Sequence, residues 1–170
     1  MISLIGARGS GKTTVGRVLA ARLGRPFADA DAECERRTGR TVADVFATDG
    51  EATFRAEEEA TIAALLGGTD GVLATGGGAV LSEATRRRLR DAGPVVWLTA
   101  AVDELEARVS TDAADRPSLT GGDPAAEMAE VLSARRPLYQ EIATITEPTG
   151  GRSPDEIAAS IAARLAGATL

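Results

Sequence analysis

The sequence has no histidine and no asparagine, and its single lysine, Lys12, stands against 18 arginines. Without histidine there is no Ser-His-Asp triad and no imidazole-held metal. Aromatic residues make up only 3% of the chain, so a core has to come from Leu, Val, Ile and Ala. The one cysteine, Cys34, excludes an internal disulfide, suits a reducing compartment and reads as a small packed residue. No run of 18 apolar residues exists, so no membrane-spanning helix is expected, and Met1 to Ile5 meets Gly6 too early for a signal peptide. The net charge of −6 gives no electrostatic footprint for nucleic acid or an anionic membrane. These features lead us to expect a cytoplasmic monomer with one domain over residues 1–170. In so arginine-rich a chain, one retained lysine marks a place where a compact ammonium is needed and a guanidinium will not do.

Along the chain, short apolar runs alternate with helical patterns. Strands are expected at Ile2–Ile5, Phe27–Asp29, Gly71–Ala74, Val95–Thr99 and Ala143–Thr146. The helical stretches are Lys12–Leu23, Asp31–Thr38, Thr41–Ala47, Glu51–Leu66, a basic helix from Ser82 to Gly93, Val102–Ser110, Pro124 to about Glu141, and a last one opened by Ser153-Pro154-Asp155-Glu156. Gly39 and Gly50 punctuate the second and third of these. Residues 111–123 are polar and contain Gly and Pro, which predicts a mobile loop. Strands separated by helices imply an α/β fold: a three-layer, doubly wound parallel sheet with helices on both faces.

The strongest local signal is Gly6-Ala7-Arg8-Gly9-Ser10-Gly11-Lys12-Thr13, which fits the phosphate-loop pattern G-x-x-x-x-G-K-[ST]. Glycines let the backbone curl so that successive N–H groups point at phosphate oxygens, and the helix that follows adds its positive end. Lys12 is placed to reach the β- and γ-phosphates of ATP and the Thr13 hydroxyl to meet Mg²⁺. A phosphate loop names a nucleotide, not a reaction. A GTP-dependent switch needs an Asn-Lys-x-Asp segment, which a chain without asparagine or a second lysine cannot supply. A motor or ATPase usually carries an acid at the end of an apolar strand, but Val95-Val96-Trp97-Leu98 runs into Thr99. The acids on offer are Asp29 and Asp31, just beyond the second strand, where ligands gather in doubly wound sheets. One can organise Mg²⁺ while the other holds an acceptor hydroxyl; Asp31 as a helix N-cap is the bland alternative.

The chain resembles shikimate kinase over essentially its full length. The resemblance rests on Gly6 to Thr14, Phe27-Ala28-Asp29-Ala30-Asp31, Asp49-Gly50-Glu51 leading to Phe54-Arg55, Thr75-Gly76-Gly77-Gly78, Arg116-Pro117, and Arg135-Arg136-Pro137-Leu138-Tyr139. It implies a phosphate-loop kinase fold and transfer of the γ-phosphoryl group of ATP to the 3-hydroxyl of shikimate, in aromatic amino-acid biosynthesis. By that pattern Gly9, Ser10, Gly11, Lys12, Thr13 and Thr14 hold the phosphates. Asp31, Arg55, Gly77 and Arg135 hold shikimate, flanked by Gly76 and Gly78, while Thr13 and Asp29 serve Mg²⁺. Arg116 acts from a lid at about 111–123, and Arg108, Arg152 and Pro154 embrace adenine. Lys12, Asp31 and Arg116 are the expected catalytic groups. The chemistry agrees with the residue types: a carboxylate suits guanidinium forks, and hydroxyls suit a carboxylate acceptor. Phe46 and Phe54 are candidates for the wall of the ring site or for plain core. Glu58 is a candidate to orient Arg55 at i, i+3, or else part of a solvated acidic face in Glu57-Glu58-Glu59. Ser118 departs from the family, which commonly has an apolar residue there. The rival functions are another small-molecule kinase, such as one acting on gluconate, and a nucleotide-binding module that transfers nothing.

Overall fold

The computed structural model describes residues 1–68, 70–111 and 124–167. Five strands form one sheet: β1 (Ile2–Ile5), β2 (Phe27–Asp29), β3 (Val72–Ala74), β4 (Val95–Thr99) and β5 (Ile145–Pro148). Their order is β2-β3-β1-β4-β5, and every pairing is parallel. β1 lies at the centre, with Ser3 in register with Leu73 of β3 on one side and Val95 of β4 on the other. Parallel strands need helical crossovers, which cover both faces and explain why the strands read as continuous apolar runs.

The helices are α1 (Lys12–Leu23), α2 (Ala30–Thr38), α3 (Val42–Leu66), α4 (Glu83–Ala92), α5 (Val102–Thr111), α6 (Pro124–Ile142) and α7 (Pro154–Gly167), with a 3-10 turn at Ala79–Leu81. Strand alternation sorts the core into two halves. Ile2, Leu4, Val72, Val96, Leu98 and Ile145 pack against Val15 and Leu19 of α1 and Ile157 and Ile161 of α7. Ile5, Leu73, Val95 and Trp97 face the other way, against Ile62 of α3, Leu89 of α4, Leu105 of α5 and Tyr139 of α6. Fully buried Leu or Ile side chains such as Leu4, Leu19 and Ile161 are each worth about 1.5–3 kcal/mol over exposure. A third, small cluster of Cys34, Val42, Val45 and Phe54 joins α2 to α3, and Phe46 packs on it half-buried. The core reading of Phe54 and Cys34 therefore holds.

Two details depart from the sequence reading, the cap of α2 and the last strand. Asp31 is not the cap of α2. Asp29 is, because its Oδ1 accepts from the N–H groups of Asp31 and Ala32 at 3.0 and 3.2 Å, and α2 starts one residue earlier than expected. The two helical pieces expected on either side of Gly50 are there, meeting at a kink where Gly50 adopts the non-helical φ 82°, ψ 168°. The last strand lies two residues further along than expected. α6 runs on to Ile142, and Thr144 is consumed as a connector, its hydroxyl accepting from Val95 N and its N–H donating to Val95 O. The predicted lid at 111–123 falls, from residue 112 on, outside the described residues, and so does Arg116. Among the described residues no helix is long and apolar enough to cross a membrane.

Candidate active site

β1 delivers the chain to Gly6 at the carboxyl edge of the sheet, and α1 opens at Lys12. The intervening loop turns through Gly9 and Gly11, both at positive φ (78° and 88°). Lys12 is buried, and its Nζ donates to the carbonyls of Gly6 and Ala7 at 2.9 and 2.8 Å and to Ser10 Oγ at 3.5 Å. The loop is thus wrapped around the ammonium. Thr13 and Thr14 point outward at the start of α1. Thr13 Oγ1 donates to Asp29 Oδ2 at 2.7 Å, so the two groups expected to serve a metal already touch. Asp29 consequently does two things: one oxygen caps α2 and the other meets the loop.

Thr75, which follows β3, is buried and donates its hydroxyl to Leu4 O at 3.2 Å, which ties the start of the glycine run to β1. The run itself is a shared wall. A β-carbon on Gly77 would stand 3.4 Å from the Arg8 amide nitrogen and 3.5 Å from Gly6 O, in ordinary contact with the phosphate loop. One on Gly76 would strike Glu58 Oε1 and come within 2.9 Å of Asp31 Oδ1. One on Gly78 would overlap the Arg55 guanidinium. Side chains at Gly76 or Gly78 would displace the ends of Glu58, Asp31 and Arg55 from where they now converge.

Arg55 and Glu58 come from the second half of α3. Arg55 Nη1 donates to Glu58 Oε2 at 2.7 Å, and its Nε and Nη2 donate to Glu51 Oε1 at 3.2 and 3.1 Å. The guanidinium also lies over the rings of Phe46 and Phe54, at 5.7 and 5.2 Å from their centroids. Glu58 is 4% exposed, which excludes the solvated-face reading. Burial pushes its carboxyl above the ordinary range, against the pull of Arg55 and Arg135. Among the described residues its Oε1 has no hydrogen-bond partner. A buried acid oxygen beside Asp31 and a half-buried guanidinium make a polar hollow suited to a small molecule bearing hydroxyls and a carboxylate. Arg135 of α6 is half-buried near Glu58, whereas Arg136 faces solvent.

The family model for shikimate kinase matches residues 8–166. A shikimate kinase of Symbiobacterium thermophilum is 45% identical over 165 residues, covering 96% of this chain and 95% of that protein. One from Thermobifida fusca is 48% identical over 163 residues, covering 95% and 92%. The solved shikimate kinase from Acinetobacter baumannii, in complex with shikimate, superposes with a TM-score of 0.95 at 38% identity, covering 99% of this chain and 94% of that one. The chain belongs to the shikimate kinase family.

The groups assigned by the family pattern to adenine lie on the β4–β5 side. Arg108 of α5 donates to Gly9 O at 3.3 Å, to Thr149 Oγ1 at 3.1 Å and to Thr149 O at 3.2 Å, so it bridges the phosphate loop and the segment after β5. Arg152 turns instead to Glu147 Oε1 at 2.6 Å and to the carbonyls of Pro148 and Glu156. Pro154 opens α7. Sequence reasoning passed over Glu147 and Thr149. Glu147 is buried and takes Arg164 on its other oxygen at 3.1 Å. Burial alone would raise its carboxyl, but hydrogen bonds from Arg152, Ser160 and Arg164 prevail and hold it below the ordinary range. A signal for Glu147 existed in strand alternation, since it shares a face with Ile145, but it was obscured by the two-residue error in placing β5.

Proposed function

We propose that the protein transfers the γ-phosphoryl group of ATP to the 3-hydroxyl of shikimate, giving shikimate 3-phosphate and ADP. The observation that carries this is the glycine run, which has the phosphate loop against Gly77 and Asp31, Glu58 and Arg55 against its neighbours. Donor phosphate and acceptor hydroxyl can then meet across a wall one backbone thick.

Phosphoryl transfer through a loose transition state asks mainly for positioning and charge stabilisation. The N–H groups of Gly9 to Thr14 and the Lys12 ammonium take the phosphates, with Lys12 exchanging its carbonyl partners for phosphate oxygens. Arg55 and Arg135 fork the substrate carboxylate, and Asp31 orients the acceptor hydroxyl and accepts its proton as the P–O bond forms. Arg116, beyond the described residues, is assigned to the transferred group. Arg108, Arg152 and Pro154 are assigned to the adenine end. The hard oxygens of Thr13 and Asp29 fit a Mg²⁺ ion, which keeps several waters and needs only one or two protein oxygens. When bound, Mg²⁺ neutralises charge on the β- and γ-phosphate oxygens. The same reading makes the protein a cytoplasmic monomer. Leu81 is the one large hydrophobic residue exposed among the described residues, and light scattering should return the chain mass of 17.4 kDa.

The test is turnover of ATP to ADP with shikimate, gluconate and a nucleoside monophosphate as separate acceptors. Shikimate should give a kcat/KM at least 10³-fold above the others, a margin of about 4 kcal/mol in transition-state binding. Comparable turnover of gluconate would overturn the substrate assignment. ATP binding with no phosphorylated product would leave only a nucleotide-binding module.

A further inference from the structure

Tyr139 has no role in the site as assigned so far. It sits on α6 four residues after Arg135, on the same helix face. Its side chain is 1% exposed, and its ring stacks on Trp97 of β4 with centroids 5.7 Å apart and planes inclined at 22°. A phenol this deep needs a partner for its hydroxyl. That partner is the Gly77 carbonyl, to which the hydroxyl donates at 2.6 Å, the short end of the range for O–H···O. Arg135, one turn earlier on the same face, brings its guanidinium close enough to the phenol for its charge to oppose the upward push of burial on the hydroxyl. A single hydrogen bond therefore ties the middle residue of the glycine wall to the stretch of α6 that carries Arg135, while the ring beneath it is anchored to the central part of the sheet.

We infer that Tyr139 is a positioning residue for the acceptor: its hydroxyl holds the Gly77 peptide in fixed relation to the turn of α6 that carries Arg135, so that shikimate meets both as one preorganised surface. This rests on the shikimate reading above. Without the hydroxyl, the Gly77 carbonyl loses its bond and the peptide is free to rotate. The turn of α6 that carries Arg135 loses its tie to the wall, and its guanidinium gains positions that miss the substrate carboxylate. Gly77 makes only ordinary contact with Gly6 and Arg8, and neither change touches Thr13 or the adenine end, so the loss should fall chiefly on the acceptor. Preorganised groups displaced by about 1 Å lose much of their effect.

The experiment compares wild type with Tyr139→Phe, which removes one oxygen and keeps the ring on Trp97. Shikimate KM should rise about tenfold, ~1.4 kcal/mol, with ATP KM changed less than twofold. Calorimetric titration with shikimate alone should show the same rise in Kd. Because its stoichiometry counts only folded protein, that measurement stands even if part of the variant misfolds. A residue that merely filled the core would lower the melting temperature and scale kcat with the active fraction, leaving KM and Kd in place. Shikimate KM and Kd within twofold of wild type, or an equal rise in ATP KM, would overturn the inference and leave the shikimate reading standing. Wild type that leaves shikimate unphosphorylated would take down that reading, and the inference with it.

Discussion

At the scale of single residues, the site depends on a few charges held out of water. Glu58 is the clearest case. It is buried, one of its oxygens is paired with Arg55, and the other has no partner among the described residues. Its carboxyl titrates above the ordinary value of 4.5, chiefly because of burial. A raised acid contributes stability that is full below its unfolded value and is lost as pH rises through its folded value. Glu58→Gln removes that dependence. The melting temperature of the variant relative to wild type should therefore climb between pH 4 and pH 7, and a gap that shrinks over that interval would contradict the assignment. At pH 7 the same variant should raise shikimate KM, because Arg55 loses the charged oxygen that aims it, with little change in ATP KM. Lys12, Arg55 and the glycine run were legible in the sequence, because the patterns that carry them are local. The burial of Glu58 was not, since three consecutive glutamates look like a solvated face and only the i, i+3 spacing to Arg55 hints otherwise. Asp29 and Asp31 exchanged capping duties for a similar reason. Both lie at the start of α2, and which one meets the free N–H groups depends on backbone angles that the sequence does not print.

At the scale of elements, α3 is where local chain geometry reaches the chemistry. Gly50 sits at φ 82°, ψ 168°, and a β-carbon there would meet no atom within 4 Å. The cost of Gly50→Ala is thus one of backbone strain alone, about 1–3 kcal/mol. The relief available is a change in the kink, which would swing the segment bearing Phe54, Arg55 and Glu58. Gly50→Ala should lower the melting temperature by several degrees and raise shikimate KM while ATP KM holds, since the phosphate loop is carried by β1 and α1. An unchanged shikimate KM would mean that the kink does not set the aim of Arg55. The existence and type of nearly every element could be read from apolar periodicity. β5 shows the limit. The stretch Ile142–Pro148 has β-branched residues on both sides of Thr144, and the inward-facing Glu147 resembles a strand end. Its partners, Arg152 and Arg164, lie 5 and 17 residues further on, beyond the reach of any pattern.

At the scale of the molecule, function follows from where the sheet reverses. The chain completes β2 and β3 on one side of β1 and resumes as β4 and β5 on the other. A crevice opens at such a point beyond the carboxyl ends of the strands, and the phosphate loop fills it. The groups proposed for the acceptor, from α2, α3 and the glycine run, gather on the β2–β3 side. Arg108 and Thr149 gather on the β4–β5 side. The sequence predicted a parallel sheet covered on both faces, but not this order, because crossover connections leave no local mark. Nor could it join Tyr139 to Gly77, 62 residues apart in the chain. The most direct test of the account is the identity of the product formed from ATP, Mg²⁺ and shikimate by the purified protein, read by phosphorus and proton NMR. The account predicts ADP and shikimate carrying a phosphate on its 3-oxygen, in equal amounts. ADP accompanied by free phosphate and intact shikimate, or phosphate on another hydroxyl, would contradict it.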